Sequence, residues 1–133
     1  MSFRVWDKKR KKWVNDDIYL NPDGELFQPN KKLFGNRLTF VSQNRYVYQK
    51  SIELQDMNGQ EIYIGDYVEA QVADNKTICG VVIYAEELSS YIIICFSSDE
   101  YYALGSQVSS YLRVVGNVFE DFFDKSIKEK YGK

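Results

Sequence analysis

The 133-residue chain contains no histidine. That excludes every mechanism in which an imidazole acts as base, proton shuttle or metal ligand. It has two cysteines, Cys79 and Cys95, too few for the disulfide framework of a small secreted domain. Both lie in the most apolar stretches, where a free thiol behaves as a small hydrophobe in a reducing compartment. No run approaches the roughly 18 apolar residues of a membrane span. Residues 1–13 carry Arg4 and Asp7 and lack the apolar core of a signal peptide, so a cytoplasmic location is expected. Also missing are a glycine-rich phosphate loop, a nucleophile elbow, a paired-histidine zinc helix and a CxxC pair. No cofactor, no bound metal and no enzymatic activity are expected.

The chain is rich in rings and in unevenly placed charge. Aromatics make up 16% of it, with 11 Tyr, 8 Phe and 2 Trp, in a composition that is 44% apolar and 27% charged. Such a chain is long enough to bury a core as one domain, here residues 1–133. The net charge is −2. Residues 1–13 hold Arg4, Lys8, Lys9, Arg10, Lys11 and Lys12 against Asp7 alone, a net of +5. Residues 14–119 carry a net of −7 and residues 120–133 a net of zero. A basic N-terminal element thus adjoins an acidic body.

The dominant hydrophobic period is two, the signature of strands. Phe3 and Val5 alternate with Arg4 and Trp6, a polar turn covers Asp7 to Lys12, and Trp13-Val14 begins the return. Asn21-Pro22-Asp23-Gly24 marks a hairpin turn between Ile18–Leu20 and Glu25–Phe27. Residues 28–36 are expected to be a loop. Leu38–Val41 and Tyr46–Tyr48 are strand-like. Beyond Asp56-Met57-Asn58-Gly59, a turn, come short strands at Glu61–Ile64, from Tyr67, at Thr77–Tyr84 and at Tyr101–Leu104, with the last at Tyr111–Val118. Tyr91–Phe96 (YIIICF) is apolar almost throughout and predicts a central strand buried on both faces. Only the tail departs from this period. Phe119, Phe122, Phe123, Ile127 and Tyr131 fall at helical spacing, which predicts a C-terminal helix over 119–131. The expected fold is mainly β: a small SH3-like or partly open barrel of antiparallel strands with one C-terminal helix. Residues 1–50 supply N-terminal strands and a hairpin, and 56–118 a barrel-like core.

The groups that could carry chemistry read as structural. The carboxylate doublets Asp16-Asp17, Glu86-Glu87, Asp99-Glu100 and Glu120-Asp121 sit mostly in turns. Neighbours on a strand point to opposite faces and form no acid/base pair. Asp56 to Glu61 has oxygen ligands but not the spacing of a calcium loop. Gly59 and Gly65 are expected to need positive φ or close backbone approach, and Asp56 and Asp66 to accept backbone N–H bonds. Arg4 to Trp13, a cluster of cations between two tryptophans, has two readings. Phosphates could be gripped and bases stacked, or the tryptophans pack inward beneath a solvated turn. The −7 body favours the second.

Three segments together resemble the YopX family of small proteins encoded by phages and prophages of Gram-positive bacteria. Phe3-Arg4-Val5-Trp6-Asp7 with its Lys-rich turn is similar to the family's FRxWD opening. Asp56-x-Asn58-Gly59-x-Glu61-Ile62-Tyr63-x-Gly65-Asp66-x-Val68 is similar to its D-x-N-G-x-E-I-Y-x-G-D-x-V signature. Val115-Gly116-Asn117-Val118-Phe119-Glu120 is similar to its closing IGNIYEN. The chain departs from the family at residues 51–55 and has Asp121-Phe122 where Asn-Pro is usual. The resemblance implies a mainly-β fold with a barrel-like C-terminal part and an intracellular, phage-related setting. It assigns no activity and no catalytic residue. The expected function is a non-catalytic protein-binding or oligomer-forming module. Its partner would be a second copy or another phage or host protein, with no membrane contact. The alternative is a nucleic-acid binder that uses residues 4–13.

Overall fold

The structure, a computed structural model, describes residues 2–15, 17–30, 37–42 and 44–120. The chain divides into two compact units, Arg4–Tyr48 on one hand and Met1–Phe3 with Gln49–Lys133 on the other. The fold is mainly β, as the period-two patterning implies.

The first unit is built from short antiparallel pairs. β1 (Phe3–Asp7) pairs with β2 (Lys12–Trp13), setting Trp6 opposite Trp13 and Asp7 opposite Lys12. β3 (Tyr19–Leu20), β4 (Leu26–Asn30) and β5 (Arg37–Phe40) form a three-stranded meander. Gly24, at φ +86, closes the turn between β3 and β4. Asn21 reinforces that turn: its side-chain carbonyl accepts the Glu25 N–H at 2.8 Å. β4 runs to Asn30, so residues 28–30 are strand and not the loop expected of them, and residues 31–36 of that expected loop lie outside the described residues. Antiparallel pairing of Gln28 and Pro29 with Thr39 and Leu38 extends the strand through a polar stretch that has no apolar alternation to signal it.

β6 (Tyr46–Gln55) leads into the second unit and pairs there with β7 (Glu61–Tyr63). A five-stranded antiparallel sheet follows, curled into a half-barrel. It comprises β8 (Asp66–Ala73), β9 (Lys76–Ala85), β10 (Ser90–Cys95), β11 (Tyr101–Ala103) and β12 (Leu112–Asn117). The spatial order is β11-β10-β9-β8-β12. One face carries the core of Ile52, Ile62, Val68, Ala70, Ile78, Val82, Ile93, Cys95, Val108 and Leu112. Each fully buried aliphatic side chain there contributes about 2 kcal/mol.

Two expectations need correction or delimiting. β10 is an inner strand, but it is buried on both faces only in part: Ile92 and Ile93, on opposite faces, are buried, while the outer face opens at Ile94, which is 40% exposed. The expected helix over 119–131 lies almost wholly outside the described residues, and Phe119 and Glu120 are bends. Among the described residues the helical elements are two 3-10 turns, Glu86–Leu88 and Val108–Ser110.

Curling brings β9 and β10 very close at Gly80. A Cβ placed there would lie 2.1 Å from the Ile94 carbonyl oxygen and 2.7 Å from Ile93 Cγ2. Backbone cannot yield as a flexible side chain can, so Gly80→Ala is expected to cost about 2–3 kcal/mol in a urea unfolding titration. An unchanged midpoint would contradict this account of the curl.

Candidate functional site

In the second unit the residues singled out in the sequence form a network of buried polar groups. Asp56 is buried, and its carboxylate joins two elements. Oδ1 accepts the N–H groups of Asn58 at 2.9 Å and Gln60 at 2.8 Å, folding the turn around itself. Oδ2 accepts the Val114 N–H of β12 at 2.9 Å. Beside it the Met57 N–H donates to the Leu112 carbonyl at 2.8 Å. The turn thus occupies the outer edge of β12, and one carboxylate oxygen replaces the carbonyl of a missing strand. Gly59, at φ +79, lets the Asn58-Gly59 tip reverse.

Asp66 is also buried. Its Oδ2 accepts the Tyr63 N–H and its Oδ1 accepts Asn117 Nδ2, both at 2.8 Å. Asn117 Nδ2 also donates to Gln49 Oε1 at 2.8 Å, and Asn117 Oδ1 accepts the Phe119 N–H at 2.9 Å. Gly65 sits above this group at φ +97, and a Cβ there would lie 2.4 Å from Gln49 Nε2. Its N–H donates to Val82 O and its carbonyl accepts from Val118 N–H. Gly116, next to Asn117, is opposite Tyr67 where β12 shifts register. Glu61 accepts the Tyr63 hydroxyl at 2.5 Å. Gln49 was not singled out in the sequence; a glutamine in a strand-like stretch carries no signal of a partner 68 residues away.

These carboxylates have given their lone pairs to N–H donors, which is an architectural use. Among the described residues no group of three or more His, Cys, Asp or Glu side chains could hold a metal ion. Both thiols are buried. Burial pushes Cys79 up to about 12 and raises Cys95 as well. Neither is a thiolate at neutral pH.

The other face of the curled sheet is different in character. Side chains alternate along a strand, so neighbours of the core residues project away from the core. Register then aligns one apolar row across four strands. Tyr67 lies opposite Val81, Val81 opposite Ile94, and Ile94 opposite Tyr101. Ile94 is 40% and Tyr101 56% exposed. Phe96 packs edge-on against Tyr67, with centroids 5.2 Å apart. The charged pair flanking the row on this face is Glu69 and Arg113, opposite each other and joined at 3.1 Å. The face is apolar and locally neutral.

The first unit holds the basic turn. Lys8, Lys9, Arg10, Lys11 and Lys12 are all exposed. Trp6 is buried and packs edge-on against Trp13 at 4.9 Å, while the Arg4 guanidinium lies 4.0 Å from the Trp13 ring centre. The rings therefore pack on protein groups, and the cations alone face solvent. Asp7 is buried at the base of the turn. It accepts the Lys9 and Arg10 N–H groups and a two-pronged clasp from Arg45, at 3.0 Å from Nε and 2.9 Å from Nη2. Arg45, like Ile94, escaped the reading of the sequence. The Arg45 guanidinium holds the Asp7 carboxyl well below its ordinary 3.8.

Because the folded-state value is depressed, the clasp stabilises the fold above the unfolded value near 3.8. That contribution is lost as pH falls below it. Asp7→Asn is expected to flatten the acid limb of a stability-against-pH curve below about pH 4; an unchanged limb would contradict the clasp. Asp56→Ala removes the acceptor of three N–H groups and is expected to cost about 3 kcal/mol in denaturant, with Asp56→Asn costing less. Equal stability of wild type and Asp56→Ala would refute the bridging role.

Comparison with known proteins adds a family and a fold. A family model described as YopX protein matches residues 2–122. No curated protein matches. Among solved structures, protein yopX from Bacillus subtilis is similar at 17% identity over 88% of this chain and 91% of its own, with a TM-score of 0.56. A protein from Enterococcus faecalis is 18% identical over 94% of this chain and 96% of its own, with a TM-score of 0.49. The Bacillus subtilis likeness is one of fold.

Proposed function

The chain belongs to the YopX family, and on that premise we propose that it is a non-catalytic module that binds protein through the outer face of its curled sheet. The observation that carries this reading is the apolar row ending at Ile94 and Tyr101, both well exposed on a face whose ion pair cancels its own charge. Exposed apolar surface on a soluble domain marks a contact surface, and tyrosine is enriched in such contacts. A partly open, SH3-like barrel in a cytoplasmic, phage-related setting belongs to the same proposal. Among the described residues no helix is long and apolar enough to cross a membrane.

The second reading is nucleic-acid binding through the solvated cations of residues 8–12, which the exposure of all five favours. Salt separates the two, since phosphate contacts weaken steeply as salt rises and apolar contacts do not.

Light scattering coupled to chromatography, at low and high salt, tests the choice. The expected result is a mass above the 15.6 kDa of one chain that salt does not lower and that Ile94→Asp reduces without changing the melting temperature. A single-chain mass with co-eluting nucleic acid that high salt removes would overturn it.

A further inference from the structure

The two edges of the curled sheet are treated differently. The edge of β12 is occupied by the Asp56 turn, as described above. The other edge is β11, and among the described residues no strand pairs with its outer side. The direction of its hydrogen bonds follows from its neighbours. Leu104 N–H donates to Tyr91 O at 2.9 Å and Cys95 N–H donates to Glu100 O at 3.1 Å. Antiparallel pairs alternate between bonded and non-bonded positions. Glu100, Tyr102 and Leu104 therefore bond to β10, while the N–H and C=O groups of Tyr101 and Ala103 point outward.

From this geometry we infer that β11 pairs with β11 of a second copy, antiparallel about a two-fold axis at Tyr102, so that the sheets of two chains run on into one. The inference rests on the protein-binding reading above and names its partner. Three observations select a second copy. The outward-pointing groups are self-complementary: Tyr101 meets Ala103 of the mate, and Ala103 meets Tyr101, each pair exchanging two N–H···O bonds. The side chains match in size. Tyr101, 56% exposed, falls opposite the exposed but small Ala103 of the mate. The apolar row Tyr67–Val81–Ile94–Tyr101 then continues into the mate's Ala103–Ile92–Ile83 row without interruption. The charges match as well. The two-fold sets Glu100 opposite Leu104 and Asp99 opposite Gly105, so no carboxylate faces another across the seam, and Lys76 neutralises Glu100 at 2.8 Å. Within Tyr101–Ala103 the edge carries neither proline nor lysine, the residues that commonly block such pairing.

Proline at position 103 tests this directly, because the N–H it removes faces away from β10 and edge strands tolerate proline there. The full-length chain is examined by light scattering over a concentration series. The wild type is expected to reach two chains per particle, with association weakened about tenfold or more in Ala103→Pro. A second measurement does not depend on that variant folding. Opposed residues of a bonded pair have Cα atoms about 5.5 Å apart, within disulfide reach. A mixture of Tyr101→Cys and Ala103→Cys chains, exposed to glutathione disulfide, is expected to yield the cross-linked pair, and neither chain alone to do so. A wild type that stays a single chain at every concentration, or a mixture that forms no selective cross-link, overturns the inference. If Ile94→Asp dissociates an oligomer that Ala103→Pro leaves intact, the edge pairing falls while binding through the sheet face stands.

Discussion

The second unit depends on a carboxylate used as a piece of backbone. A curled sheet of five strands must end somewhere, and an open edge exposes unpaired N–H and C=O groups. At β12 the Asp56 side chain supplies the acceptor that a sixth strand would have offered to Val114. The same carboxylate holds the turn that delivers it, through Asn58 and Gln60. One residue therefore shapes a reversal and seals a sheet. The Asp66–Asn117–Gln49 group continues the closure at the end of the same strand. With that side sealed, β11 is left as the edge where the sheet can grow.

Local chemistry explains what the sequence discloses. The Asn58-Gly59 reversal and the entry at Gly65-Asp66 are readable because the bonds that define them span two to four residues. The long-range half of each constellation is not readable. Val114 lies 58 residues from Asp56, and Arg45 lies 38 from Asp7. Nothing near an arginine or a strand N–H declares a partner that distant. Tyr91–Phe96 misleads for another reason. An apolar run is the pattern of a strand covered on both faces, and equally of one whose second face is a contact surface. Hydrophobicity records that a side chain avoids water and is silent on whether this chain or another provides the cover. Ile94 is the residue on which the two cases separate.

The distribution of ionisable groups gives the functional picture its shape. Among the described residues the buried aspartates are Asp7, Asp56 and Asp66, and each accepts from more than one donor. The cations Lys8 to Lys12 gather on a turn of the first unit, and in the second unit the outer face of the curled sheet carries the self-cancelling Glu69–Arg113 pair. The proposed contact with protein rests on the apolar row, and the alternative contact with phosphate on the basic turn.

Amide hydrogen exchange at Val114 tests the sealing of β12 most directly. If Asp56 stands in for a strand, this outward N–H exchanges as slowly as the inner ladder amides of β8 and β9, by global unfolding. Exchange at the rate of an exposed loop amide, with β8 and β9 still protected, would show that the edge is open and that the carboxylate bridge does not govern the fold.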